Sequence, residues 1–303
     1  LWKPKAIFLV DSEIWPNLIF NAKKNGIPLA LINARITKKT FKKWNFILKS
    51  AQNLFNKFDL CLTSNLETKK YLSILNAKNI HFEGNIKFIN ENNFNNYNQR
   101  RYRLLKEKKF WCGISTHDSE EDFCLKAHLI LKKKYKDVIL IIAPRHINRV
   151  KKIKTLCSKL NLSSQILERN KSISKNKEII IINSFGELSN FLKYAKSVFI
   201  GKSTIKKIEN KSGQNPLEAA YLGCKIYHGP YIYNFKEVYK ILSQNKISKK
   251  INNQKELANN LIIDLKFSKK NYKKFHIFLR KISQKTFKNN MKRINFFLTN
   301  EVI

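Results

Sequence analysis

Short apolar runs rich in β-branched residues alternate along this chain with stretches of helical periodicity, and that alternation limits the fold more than any other feature. Strands are expected at 6–10, 28–33, 58–63 and 80–83, then at 110–115, 138–143, 178–182, 197–200 and 225–228. Helices are expected at 16–25, 38–55, 65–76, 119–135, 148–160, 187–195, 216–223, 235–244 and 254–265. Strands and helices in strict alternation build parallel sheets covered by helices on both faces. The polar, Asn-rich stretch before Phe110 interrupts the pattern. It predicts a linker at 91–109 between an N-terminal domain at 1–90 and a C-terminal domain at 110–267. Residues 268–303 read as a basic helix packing back on the body through Phe275, Phe278, Leu279, Ile282, Phe287 and Ile294. A membrane-surface or RNA-binding helix is the other reading of that stretch.

The 303 residues suffice for two domains, and 43% hydrophobic content with 21 Phe and 11 Tyr excludes global disorder. The formal charge is +39, from 60 basic and 21 acidic residues. Only 9 of the basic residues are Arg, whereas phosphate clamps and nucleic-acid readers favour the guanidinium fork. A Lys excess beside abundant Ile and Asn reads first as the codon bias of an AT-rich genome. The charge still draws the chain toward anionic membranes and phosphorylated substrates, and makes such binding salt-sensitive. Five scattered cysteines without a C-x-x-C pair argue for a reducing compartment and against zinc or a disulfide framework. No apolar run approaches the ~20 residues of a membrane span. The chain begins at Leu1 and opens almost at once into a strand, so it is expected to be an internal fragment.

In a doubly wound sheet ligands bind at the carboxyl ends of strands, and four segments sit there. Asp11-Ser-Glu-Ile-Trp-Pro-Asn17 follows the first strand and places Glu13 at a strand-to-helix mouth, with Pro16 in the first helical turn. A carboxylate that only complements the helix dipole is the bland reading of Glu13. Gly84-Asn-Ile-Lys-Phe88 sets Lys87 after a tight turn, where a lone Lys is ordinarily solvated surface. Ala143-Pro-Arg-His146 ends a very apolar strand and offers the Arg145 guanidinium to a phosphate, or to a surface ion pair. Asn183–Leu188 and Gly213–Glu218 are helix starts. In the second, Asn215 is expected at N-cap, Pro216 at N1 and Glu218 at N3, which is capping-box chemistry. Free N–H groups there can also hold an anion while Glu218 accepts from ribose hydroxyls.

The segments DSEIWPNLI, IPLALINARI, GNIKF, GISTHDSEE, IIAPRH, FGEL, GQNPLEAA and GPYIYNF occur in this order. Together they resemble the 3-deoxy-D-manno-octulosonic acid (Kdo) transferases of lipopolysaccharide synthesis, over nearly the whole chain. The resemblance implies an α/β GT-B glycosyltransferase of two Rossmann-like domains, the first incomplete here. It implies an acceptor domain at 1–90 and a donor domain at 110–267 that binds the CMP of CMP-Kdo. By motif position Glu13 and Lys87 match transition-state stabilisers, with Lys87 expected near Glu13. Pro144, Arg145, Gly186, Glu187, Leu188, Asn215, Pro216, Leu217 and Glu218 match residues that bind the donor nucleotide. The implied reaction is inverting transfer of Kdo to a lipid A precursor (lipid IVA) at the cytoplasmic face of the inner membrane. The protein would be peripheral there and in contact with anionic lipid. No cofactor or metal is implied, and no nucleic-acid partner.

Departures from the pattern concern the donor side and the start. Gln214 stands where the family has His, and Ala219 where it has Pro. A charged segment, Lys202–Lys211, replaces a glycine-rich one. The family's general base, a Glu in a Gly-Glu pair, has no counterpart in these residues, so the chain alone is expected to bind donor without transferring sugar. A GT-B transferase for another activated sugar, a non-catalytic donor-binding remnant and, on charge alone, an RNA-binding protein are the alternatives.

Overall fold

The computed structural model describes residues 4–89, 102–169, 171–207, 212–266 and 273–301. The chain divides into two compact units, Leu1–Glu91 with Phe278–Ile303, and Asn92–Ile277.

The first unit runs β1 (Ile7–Val10), α1 (Pro16–Lys24), β2 (Leu29–Ala34), α2 (Lys38–Phe46), α3 (Leu48–Phe55), β3 (Leu60–Thr63), α4 (Leu66–Ile74) and β4 (Ile80–His81). Its four strands form a parallel sheet in the order β1-β2-β3-β4. All six residues of β2 are buried, and the period-2 pleat sends them to two cores. Leu29 and Leu31 join Ile19, Leu54, Phe55 and Leu72 from the helices on one face. Ala30 and Ile32 join Leu60, Leu62 and Phe297 on the other. Each such fully buried Leu or Phe contributes roughly 1.5–3 kcal/mol. β1 forms the sheet's edge, and Phe8 and Val10 remain 40% and 44% exposed.

The helix expected over 38–55 is two helices that break at Ile47 (φ −114°, ψ 47°). Both pack against the same core, α2 through the half-buried Phe41 and Trp44 and α3 through the buried Ala51, Leu54 and Phe55, and the break leaves Phe46 and Ile47 exposed at the junction.

The second unit runs α5 (Arg103–Glu107), β5 (Phe110–Thr116), α6 (Glu120–Lys132), β6 (Ile139–Pro144), α7 (Val150–Lys159), β7 (Ser164–Leu167), β8 (Ile179–Ile182), α8 (Leu188–Leu192), β9 (Ser197–Ile200), α9 (Leu217–Tyr221), β10 (Lys225–His228), α10 (Lys236–Gln244), β11 (Ser248–Lys250) and α11 (Gln254–Asp264). Its seven strands are all parallel, in the order β11-β10-β9-β5-β6-β8-β7. The chain leaves β5 toward β6 on one side and returns to place β9 on the other. A topological switch point therefore lies between β5 and β9, where ligands bind doubly wound sheets.

Two of these strands, β7 and β11, were not expected. Both lie at sheet edges and are short and polar (SQIL and SKK), as edge strands that resist unwanted pairing are. The linker expected over 91–109 lies outside the described residues up to 101. Beyond that point it is structured: Tyr102 and Leu105 are buried, and Tyr102 meets Phe191 edge-on at 5.2 Å.

The last helix, α12 (Lys273–Glu301), belongs to the first unit from Phe278 onward. Its buried side is only in part the apolar stripe expected, with Ile294 packed on the core of Ala30, Ile32 and Leu60. Leu279 and Phe297 are buried, but between them the seam is Ser283, Thr286 and Asn290, while Phe287 is 47% exposed. Close backbone approach explains the polar seam. A Cβ on Gly84 would come 2.6 Å from Thr286 Oγ1. Asn290 donates to the Glu83 carbonyl at 3.3 Å, and Arg293 Nε to the Glu83 carboxylate at 3.0 Å. α12 thereby fixes the turn that carries Lys87.

Candidate functional site

In the first unit the carboxyl ends of the strands gather a small charged constellation. Asp11 ends β1 in the left-handed region (φ 57°), and Asn33 near the end of β2 does likewise (φ 53°). Asn33 Nδ2 donates to Asp11 Oδ1 at 2.7 Å, and its Oδ1 accepts from the Ile86 amide at 3.2 Å. Lys87 lies in a single 3₁₀ turn, Ile86–Phe88, where Asn85 Oδ1 accepts from its amide at 2.9 Å and Phe88 is buried. Its ammonium reaches Asp11 Oδ2 at 3.0 Å. Lys87 thus pairs with Asp11, a residue that the sequence reading had not given a role. Glu13 is exposed and accepts instead from Trp15 Nε1 at 3.0 Å. Pro16 is the first residue of α1, as its ring geometry requires. Asp11 and Asn33 went unassigned in the sequence because their partners are 76 and 53 residues away. The one local clue was an acidic residue directly at a strand end.

In the second unit Pro144 ends β6 buried, and Arg145 follows exposed, its amide donating to Thr116 O at 3.0 Å. Among the described residues the Arg145 guanidinium has no ion-pair partner, whereas nearby Arg149 is engaged by Glu121 and Asp118. His117 and His146 meet edge-on at 5.8 Å beside it. Burial holds the His117 pKa below the ordinary 6.5, so its ring is neutral near pH 7. After β8, Gly186 takes φ +80° with open space where a Cβ would be, and Glu187, 8% exposed, accepts from the Ser184 hydroxyl. Leu188 begins α8.

The start of α9 differs from expectation by one position. The helix runs Leu217–Tyr221, with Pro216 its αR flanking residue, and Asn215 Oδ1 accepts from the Leu217 amide at 3.0 Å. Glu218 therefore stands at N2 rather than N3. Five residues also make too short a helix for a developed macrodipole, so any anion held there is held by local N–H groups.

The buried residue that the sequence reading passed over is Glu120, fully inaccessible at the first position of α6. Its carboxylate accepts from the amides of His117 (3.1 Å), Lys202 (2.6 Å), Ser203 (2.9 Å) and Thr204 (3.0 Å), and from the Thr204 hydroxyl (2.9 Å). The loops after β5 and β9 are joined at the switch point by this one side chain.

Among the described residues no group of three His, Cys, Asp or Glu is placed to hold a metal ion. All five cysteines are buried and none is in a disulfide, and burial pushes the thiols of Cys61, Cys124 and Cys157 up, which suits packing rather than nucleophilic chemistry. Among the described residues no helix is long and apolar enough to cross a membrane.

Residues 1–90 match the family described as 3-deoxy-D-manno-octulosonic-acid transferase (kdotransferase). A probable mitochondrial 3-deoxy-D-manno-octulosonic acid transferase of Arabidopsis thaliana is 31% identical over 253 residues, 80% of this chain and 56% of that protein. The 3-deoxy-D-manno-octulosonic acid transferase of Rickettsia typhi is 33% identical over 267 residues, 86% of this chain and 55% of that protein. The chain thus spans little more than half the length of these relatives. Among solved structures, the C-terminal CMP-Kdo binding domain of WaaA from Acinetobacter baumannii superposes with a TM-score of 0.51 at 20% identity, covering 62% of this chain and 92% of that one. The trehalose-6-phosphate synthase OtsA superposes with a TM-score of 0.60 at 12% identity, over 98% of this chain and 71% of that one. At such identities the likeness is one of fold, and the fold is GT-B.

Proposed function

Because this chain belongs to the 3-deoxy-D-manno-octulosonic acid (Kdo) transferase family, a family of glycosyltransferases, we propose that it serves the transfer of Kdo from CMP-Kdo to a lipid A precursor, with inversion at the anomeric carbon. The observation that carries the donor half of this reading is Arg145, a guanidinium without an ion-pair partner among the described residues, at a strand's carboxyl end in the second unit. Its fork suits the CMP phosphate. Pro144 shapes its approach; Gly186, Glu187 and Leu188, and Asn215 to Glu218, supply the remaining nucleotide contacts. Gly186 leaves the backbone bare, and Glu218 offers acceptors to ribose hydroxyls. In the first unit Lys87, held by Asp11, and Glu13 stabilise charge developed in the transition state. Acceptor attack needs a general base to take the hydroxyl proton.

Calorimetry tests the donor reading. CMP should bind and UDP should not. Arg145→Ala should weaken CMP about 10- to 150-fold, the ~1.5–3 kcal/mol of a hydrogen bond to a charged group, with the melting temperature unchanged. Equal affinity for CMP in the variant would make Arg145 an ordinary surface residue.

The acceptor is a lipid, and α2 supports a peripheral place on an anionic leaflet, the cytoplasmic face of the inner membrane. Lys39, Lys42, Lys43 and Lys49 are exposed around Phe46, which is 91% exposed, and Ile47, 47% exposed. Each Lys near an anionic surface contributes roughly 1 kcal/mol. Binding to phosphatidylglycerol vesicles should exceed binding to phosphatidylcholine vesicles and weaken with salt. Phe46→Ser should lower it about 5- to 10-fold, as partial burial of one aromatic ring implies. Flotation with both vesicle types would reveal equal partition if α2 plays no part.

A further inference from the structure

We infer that Glu120 is a positioning residue for donor binding: a buried carboxylate that holds the loop after β9 in its binding conformation. The inference rests on the donor reading of the second unit given above.

Three observations support it. First, the carboxylate is saturated by donors from two loops, as the preceding distances record. Two of its bonds fall on Oε2 (His117 and Lys202 amides) and three on Oε1 (Ser203 amide, Thr204 amide and hydroxyl). Four backbone amides aimed at one buried acceptor would be orphans without it, and each buried unpaired donor costs about 1–3 kcal/mol. Second, the loop cannot relax by other means. Lys202 is in the left-handed region (φ 54°), and a Cβ on Gly201 would come 2.6 Å from both Ser115 O and Thr116 Cα. Third, the loop passes its position on. Lys202 O accepts from the Gly213 amide at 2.7 Å, two residues before Asn215, whose Oδ1 accepts from the first amide of α9. Ser203 O accepts from the Tyr231 amide at 2.9 Å, and Ser203 Oγ from the Gly229 amide at 2.9 Å. On the other side Thr116 O receives the Arg145 amide. The segments that carry Arg145 and Asn215–Glu218 are therefore both referenced to the pair of loops that Glu120 joins. A side chain buried against its own protein touches no substrate, so its effect on the donor must be exerted through this loop.

Replacing one carboxylate oxygen by an amide settles the matter. Glu120→Gln turns an NH₂ toward amides that donate, so at least two bonds become repulsive. The loop should then occupy its binding conformation a minor part of the time. Apparent CMP affinity falls in proportion to that fraction, about 10-fold if a tenth remains. Hydrogen exchange at the amides of 202–204 should accelerate under conditions where the rest of the sheet stays protected. Thr204→Val keeps volume and deletes one donor, and should weaken CMP about 2- to 5-fold by the same argument. It is the deciding variant if Glu120→Gln does not fold. Wild-type affinity for CMP in the folded variants, with only their melting temperature lowered, would make Glu120 a structural residue and overturn the inference. Absence of CMP binding by the wild-type chain, or an Arg145→Ala variant that binds as well as wild type, would instead remove the donor reading on which it rests.

Discussion

Acidification from pH 6.5 to 4 should destabilise the second unit by several kcal/mol, through two imidazoles that the fold keeps neutral. His128 on α6 is fully buried, its Nδ1 accepting from Trp111 Nε1 at 3.4 Å, and its Nε2 has no hydrogen-bond partner among the described residues. His228 at the end of β10 is buried and packed against Tyr239, with ring centroids 4.3 Å apart and the planes tilted by 52°. Its Nδ1 lies 2.7 Å from Gly229 O, which fixes the proton on that nitrogen. Burial, above all, pushes both values down from 6.5 to about 4. For His128 the Glu178 carboxylate opposes that shift and Lys132 adds to it; for His228 the Gly229 hydrogen bond opposes it and Lys250 adds to it.

The direction follows from proton counting. Between pH 4 and 6.5 the unfolded chain binds protons that the folded one refuses, so stability rises with pH there and is lost as pH falls. Below about 4 both states are charged and these groups cost nothing further. Each histidine contributes at most about 1.4 kcal/mol per pH unit, so the two give about 3 kcal/mol per unit in mid-window. Asp118, held down to about 2 by Arg149 and Lys152, titrates below this window. Urea midpoints measured from pH 7 to 4 should fall steadily, and His128→Leu should remove about half of the slope. A flat profile would show that neither imidazole is excluded from solvent protons.

Gly229→Ala is the substitution expected to damage the fold and the candidate site together. A Cβ there would lie inside the van der Waals envelope of the Ser203 carbonyl oxygen, 2.6 Å from its carbon and 2.7 Å from Thr204 Cγ2. Two of these three atoms are backbone, so no rotamer change relieves the clash. Ser203 cannot withdraw either, because Glu120 holds its amide and Tyr231 its carbonyl. Overpacking of this kind costs typically about 1–3 kcal/mol. For a unit of this size that is a fall in melting temperature of roughly 3–10 °C. CMP affinity should fall in the folded variant as well, since the displaced loop is the one that orders the approach to α9. An unaltered melting temperature would mean that β10 and the loop separate easily, and would weaken the case for Glu120 with it.

Most of the architecture was legible in the residues. The runs at 110–115, 138–143, 178–182, 197–200 and 225–228 became β5, β6, β8, β9 and β10, with ends displaced by a residue at most. Buried parallel strands read as nearly continuous apolar runs of about four to eight residues. Pro16 marked the start of α1, and Asn215 marked that of α9 to within one position, because both act on their own turn. Of the candidate site, the sequence located the strand ends and so Arg145 and Lys87. It missed β7 and β11, whose pairing on one side only leaves little apolar pattern, and the break at Ile47, which no proline or glycine marks.

The sequence by itself determined which segments become strands and helices and where their carboxyl ends offer chemistry, since hydrophobic period, proline and capping residues act within a few positions of themselves. Tertiary structure alone decided which side chains hold the others in place. Asp11 meets Lys87 across 76 residues, and Glu120 meets Lys202, Ser203 and Thr204 across 82 to 84. These partners become neighbours only through the strand order and the return of the chain: β9 lies beside β5 in one sheet, and in the other the turn after β4 reaches back to Asn33 at the end of β2, beside β1. That order is set by how whole helices cover whole sheets, a property of the packed chain that no local pattern of residues encodes.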